Sequence, residues 1–97
     1  MSPIADEFRK NPGDVLDYLF DWSQWLAPIN DTIASSTMAV TSSPSDLGLS
    51  ASPPNPTFCV VWVSGGSIPN YYTVTNTIVT VGGRTRARSI RIIIENQ

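Results

Sequence analysis

The sequence has no histidine, one cysteine, one lysine and few charges of either sign. Without histidine, the side chain best suited to proton transfer near neutral pH is absent, and no serine or cysteine has the usual base to activate it. The single cysteine, Cys59, excludes an internal disulfide. It alternates with Phe58 and Val60 in an apolar run, so it reads as a buried, inert thiol. Metal binding has only Asp14, Asp17 and Asp21 to draw on. On a strand, Asp17 and Asp21 would stand ~13 Å apart, too far to share an ion, whereas on a helix they would be neighbours. No cofactor is expected. No apolar run is long enough to span a bilayer, and the polar start of the chain does not read as a signal peptide. The expectation is synthesis in a cytoplasm and work there or in something built there, with no membrane partner.

Charged residues make up 14% of the chain, against about 25% in ordinary globular proteins. Residues 47–83 carry no charged side chain at all. What charge there is lies at the two ends. Acids dominate residues 1–46, and the last fourteen residues hold Arg84, Arg86, Arg88 and Arg91. This polarity suits head-to-tail docking between copies or between different proteins, and equally suits neutralisation within one fold. Low charge suits a chain that works inside an assembly, because a free monomer leans on charge to stay dispersed.

The charge-free stretch is rich in β-branched and aromatic residues and is punctuated by glycine and proline, a sheet composition. Residues 57–64 predict a strand with Phe58, Val60 and Trp62 on one face and Cys59, Val61 and Val63 on the other. Both faces are apolar, as in a central strand covered on both sides. Residues 71–81 predict the longest strand, with Tyr72, Val74 and Ile78 on one side and Thr73, Thr75 and Thr77 on the other. Gly82-Gly83 predicts a tight hairpin, and residues 84–95 the returning strand, with Ile90, Ile92 and Ile94 inward.

The first half is less clear. In residues 15–22, Leu16, Tyr18, Phe20 and Trp22 would share one strand face, but the aspartates also form a helical stripe. The aromatics favour a strand, with residues 22–26 as a helical turn ended by Pro28. Residues 31–40 alternate weakly. Leu47 and Leu49 predict a short edge strand that the following prolines would stop, or else a loop. Residues 1–14 are polar and read as a frayed tail or an N-terminal arm ordering on a neighbour, with Phe8 as its apolar anchor. The remainder, 15–97, reads as one all-β domain: an immunoglobulin-like sandwich of six to seven strands. Tyr72 falls where that fold often keeps a tyrosine corner, with Val74 in place of the disulfide cysteine.

Three sets of side chains stand out. Arg84, Arg86 and Arg88 alternate along the last strand and predict charge partners for carboxylates of a neighbouring subunit. Binding nucleic acid with them is disfavoured, because no aromatic residue interleaves them and the chain is acidic overall. Trp22 and Trp62 read as core, and Trp25, beside Pro28, as a candidate interface anchor. Ser64-Gly65-Gly66-Ser67 lacks the lysine and following helix of a phosphate loop and reads as a turn.

Several blocks together resemble a known family. They are residues 17–26 (DYLFDWSQWL), 31–37 (DTIASST), 61–66 (VWVSGG), 72–76 (YTVTN) and 82–85 (GGRT). Across roughly residues 11–95 the sequence resembles the small immunoglobulin-like structural proteins of tailed bacteriophages labelled fibre–tail adaptor proteins. The resemblance implies a non-enzymatic virion component near the neck or tail, in several symmetry-related copies, touching other virion proteins. It also favours a strand over residues 15–22. Residues 42–57 depart from the pattern, being longer and richer in proline. The competing function is a decoration or fibre domain that recognises a glycan or protein on a host surface.

Overall fold

The computed structural model describes residues 4–41 and 47–96. Seven strands and one short helix follow in the order β1 (Ile4–Lys10), β2 (Leu16–Asp21), α1 (Ser23–Ile29), β3 (Ile33–Thr41), β4 (Leu47–Ala51), β5 (Phe58–Gly65), β6 (Tyr71–Thr80) and β7 (Thr85–Ile94). They form two stacked sheets, one ordered β1-β7-β6-β3 and the other β2-β5-β4. The all-β sandwich expected from the sequence is therefore observed.

Period-2 alternation sets the core. Tyr18 and Phe20 of β2, Cys59, Val61 and Val63 of β5, Tyr72, Val74 and Ile78 of β6, and Ile90, Ile92 and Ile94 of β7 are all buried between the layers. Trp22 closes this core at the end of β2 and is fully buried. Its indole N–H donates to Asn76 Oδ1 at 2.9 Å, and Asn76 in turn donates to Ser36 Oγ at 2.8 Å and to the Thr37 carbonyl at 3.1 Å. A polar residue in the middle of β6 is thus fully engaged, as burial requires.

α1 starts one residue later than expected and runs three residues beyond Leu26, through Pro28. The missing N–H of Pro28 costs one intrahelical bond, that to the Gln24 carbonyl, and the helix ends at the next residue, Ile29. Asn30, in the left-handed region at φ 52°, stops it, and the N–H groups of Asn30 and Asp31 return to the Ala27 and Leu26 carbonyls. The β6–β7 hairpin turns at Gly82-Gly83 as expected, with Gly83 at φ 91°.

The N-terminal segment, read from sequence as a polar arm, lies as β1 in parallel register with β7 of its own chain, from Ile4 opposite Ser89 to Lys10 opposite Ile94. Lys10 supplies a physical reason. Its side chain is wholly buried, and its ammonium donates to the carbonyls of Asn11 at 2.8 Å and Gly65 at 2.7 Å. Burial nevertheless pulls its pKa below the ordinary lysine value, with nearby Asp14 opposing the shift. Phe8 covers the core edge, its ring 4.8 Å from that of Tyr18.

A candidate docking face on the three-stranded sheet

β5 is flanked by β2 and β4, and its inward side chains Cys59, Val61 and Val63 are sealed. Its other face is open to solvent. Trp62 is 45% exposed, and Phe58 and Val60 are half-buried. This corrects the reading of Trp62 as core and of β5 as covered on both sides. Alternation reveals that a strand has two apolar faces, but not how many layers the chain has to cover them.

Cross-strand register assembles the rest of the face. Leu19, 57% exposed, stands opposite Val60; Asp17 and Ser50 flank Trp62 from β2 and β4; Asp21 stands opposite Phe58. The result is an apolar stripe of Leu19, Phe58, Val60 and Trp62 with aspartates at Asp17 and Asp21. Asp21 is held in its charged form, its pKa lowered mainly by the Ser23 backbone and side-chain hydrogen bonds and less by Arg88. Chemically the face offers aromatic area and negative charge. It offers no nucleophile–base pair.

The residues singled out from sequence lie elsewhere. Arg84 precedes β7 and pairs with Asp31 at 2.8 Å. Arg86 and Arg88 stand opposite Ile78 and Asn76, on the core-side face where the sandwich opens toward α1. The Arg86 guanidinium lies 4.9 Å above the Trp25 ring, and that of Arg88 4.4 Å above Trp22 while donating to the Asp21 carbonyl at 2.7 Å. Trp25, half-buried, meets Trp22 edge to face at 5.9 Å. Phe8 sits on the opposite flank, against Tyr18. The arginine–tryptophan end is thus an ordered ladder of guanidinium and indole planes. The charge polarity of the sequence is partly consumed within the chain, since Arg84 meets Asp31 and Arg91 meets Glu7 at 3.2 Å.

The remaining candidates resolve simply. The Ser64–Ser67 turn is structural: Gly65 gives its carbonyl to Lys10, Gly66 at φ 93° lies against Ile94, and the Ser67 N–H donates to Tyr72 Oη at 3.2 Å. Among the described residues no group of three histidines, cysteines or carboxylates could hold a metal ion, and no helix is long and apolar enough to cross a membrane. Burial raises the Cys59 thiol pKa, with Ser36 and Asn76 opposing, so the thiol stays protonated.

Comparison with curated proteins gave no match. Comparison with protein families gave one whose profile runs along the chain from residue 10 to residue 93, nearly the whole sandwich, and by that match the chain belongs to the podophage GP4 fiber-tail adaptor protein gp77 family.

Proposed function

We propose that this protein is a non-catalytic adaptor that joins neck and tail components of the virion, with the outer face of β2-β5-β4 as one contact and the arginine–tryptophan end as another. The observation that carries this reading is the open β5 face. An apolar stripe built around a half-exposed tryptophan has the composition of an interface centre, where aromatic residues concentrate binding energy. At the other contact, Arg86 is exposed over Trp25 and has no carboxylate partner among the described residues. Its planar fork is free to take a neighbour's carboxylate, with Trp25, Arg84 and Arg88 as the surrounding contacts, while Phe8 lies on the opposite flank. Contacts at opposite charges favour a head-to-tail arrangement, which closes into a homo-oligomeric ring when the rotation between copies is a whole fraction of a turn.

The reading includes the type of sandwich. In chain order, β2-β5-β4 and β3-β6-β7 reproduce the B-E-D and C-F-G groups of the immunoglobulin fold, with the first strand laid along the last. The Ser67 N–H to Tyr72 Oη bond supports this type, because a tyrosine corner likewise ties a tyrosine hydroxyl to backbone a few residues upstream.

The test is Trp62→Asp introduced into the phage. The substitution removes a half-exposed indole and sets a carboxylate opposite Asp17, a cost of about 1–2 kcal/mol, so thermal unfolding of the isolated variant first checks that it remains folded. Incorporation into particles should fall at least tenfold, as scored by mass spectrometry of purified virions. Normal incorporation would defeat the proposal. A second reading, a host-glycan platform, draws on Trp62 lying beside Asp17 and Ser50. It predicts normal incorporation with lost adsorption, so one variant separates the two.

A further inference from the structure

The sheet that carries the open face also has an open edge. β2 is the outermost strand of β2-β5-β4. In an antiparallel ladder, alternate residues turn their peptide groups toward the same neighbour. The Trp22 N–H donates to the Thr57 carbonyl, continuing the register in which Phe20 faces Cys59 and Tyr18 faces Val61. The peptide groups of Asp17, Leu19 and Asp21 therefore point away from β5. Asp21 has its carbonyl capped by Arg88. Those of Asp17 and Leu19 have no partner among the described residues. The usual protections of an edge are charged side chains, lysine above all, proline, a bulge, a covering loop or helix, or very short length. The other edges show some of these: β4 spans five residues and is followed by Pro53 and Pro54, β3 has a register shift near Ile33, and the end of β1 is pinned by Lys10. β2 has six residues, an unbroken register and only its two aspartates.

A constant-type immunoglobulin sandwich fills this position with its first strand, in the order A-B-E-D. Here the first strand lies along β7 instead, so the place beside β2 is empty among the described residues. We infer that β2 receives an added strand from another virion protein, and that this strand alternates a basic, an apolar and a basic residue on its outward face. Asp17, Leu19 and Asp21 occupy that face at every second position, so a neighbouring strand in register sets a lysine or arginine beside each aspartate and an apolar side chain beside Leu19. The added apolar side chain would also extend the stripe of Leu19, Val60 and Trp62. A second copy of β2 is the wrong occupant. Antiparallel pairing centred on Leu19 sets Asp17 against Asp21 twice, and like charges directly opposed are destabilising. This inference rests on the adaptor reading and supplies the chemistry of one partner.

The experiment uses the full chain, isotopically labelled, with synthetic peptides of lysine–threonine–valine–threonine–lysine core and a glutamate-for-lysine control, at up to millimolar concentration. The lysine peptide should slow hydrogen exchange at the amides of Asp17 and Leu19 at least tenfold, and the glutamate peptide should not. Asp17→Lys should weaken the lysine peptide about five-fold and strengthen the glutamate peptide. Three results would overturn the inference: no protection by any peptide, protection by both peptides equally, or protection of these amides by self-association without peptide. If the peptide shifts Trp62 resonances without protecting Asp17 and Leu19, the edge inference fails while the open face stands. If the Trp62→Asp virions are normal, the adaptor reading itself fails.

Discussion

At the residue scale, Asp31 shows how one side chain organises a turn. Its carboxylate accepts from the Gly82 N–H at 3.0 Å, the Thr32 N–H at 2.9 Å and the Arg84 guanidinium at 2.8 Å, tying the α1–β3 link to the β6–β7 hairpin. Its pKa falls from 3.8 to about 2, with a hydrogen bond from Thr80 the largest cause, then those of Gly82, Thr32 and Arg84, against desolvation. A carboxylate whose folded pKa is depressed adds stability that is complete above the unfolded value and lost as pH falls through the folded one. Asp31 should therefore steepen acid unfolding between roughly pH 4 and pH 2. Asp31→Asn should flatten that limb of a Tm-against-pH curve and speed exchange at the Gly82 amide. An unchanged acid limb would assign the transition to other carboxylates. Asn76 is the second such residue. Asn76→Ala strands the Trp22 indole N–H in the core and removes the links to Ser36 and Thr37. A loss of about 1–3 kcal/mol is expected in urea unfolding. Neither role is legible beforehand, because an aspartate before a threonine, or an asparagine among threonines, reads as surface or turn until the partner strand is known.

At the element scale, legibility follows how local the determinant is. β5, β6, β7 and the glycine hairpin are readable because their alternation is written in consecutive residues, and the folded chain keeps it. β2 is ambiguous by period alone, since its aspartates fit a helical stripe as well, and pairing with β5 decides it. β1 is not readable, because its Asp-Glu-Phe-Arg-Lys run has a single apolar residue. It is a strand because β7 offers an edge and because Lys10 has carbonyls to reach. Residues 42–46, inside the proline-rich departure from the family pattern, lie outside the described residues. The link between β5 and β6 gives a prediction at this scale. A Cβ on Gly66 would lie 2.8 Å from Ile94 and 3.2 Å from Leu47, at φ 93°. Gly66→Ala should cost about 1–3 kcal/mol through backbone strain alone, and more if Ile94 cannot yield. Equal stability of the variant in thermal unfolding would show that the loop re-forms around the methyl group.

At the scale of the whole molecule, the question is whether the chain needs its neighbours to fold. Its accessible surface is 5513 Å², close to the roughly 5,400 Å² expected for a folded monomer of its mass. Its buried apolar side chains form a single cluster shared by both sheets. The core is thus complete within one copy. The exposed stripe, by contrast, consists of four side chains on one sheet face, less than the 20–30 residues a side that a stable interface engages. Self-association through it should be weak in dilute solution. It becomes effective where other virion proteins hold several copies close together and raise their effective concentration. The isolated protein is therefore expected to sediment as a folded 10.5 kDa monomer, with a Tm that does not change with concentration. The same chain should be present in multiple copies per purified particle. A Tm rising steeply with concentration would make the subunit contacts part of folding. One copy per particle would rule out the ring and leave a single joint between two neighbours.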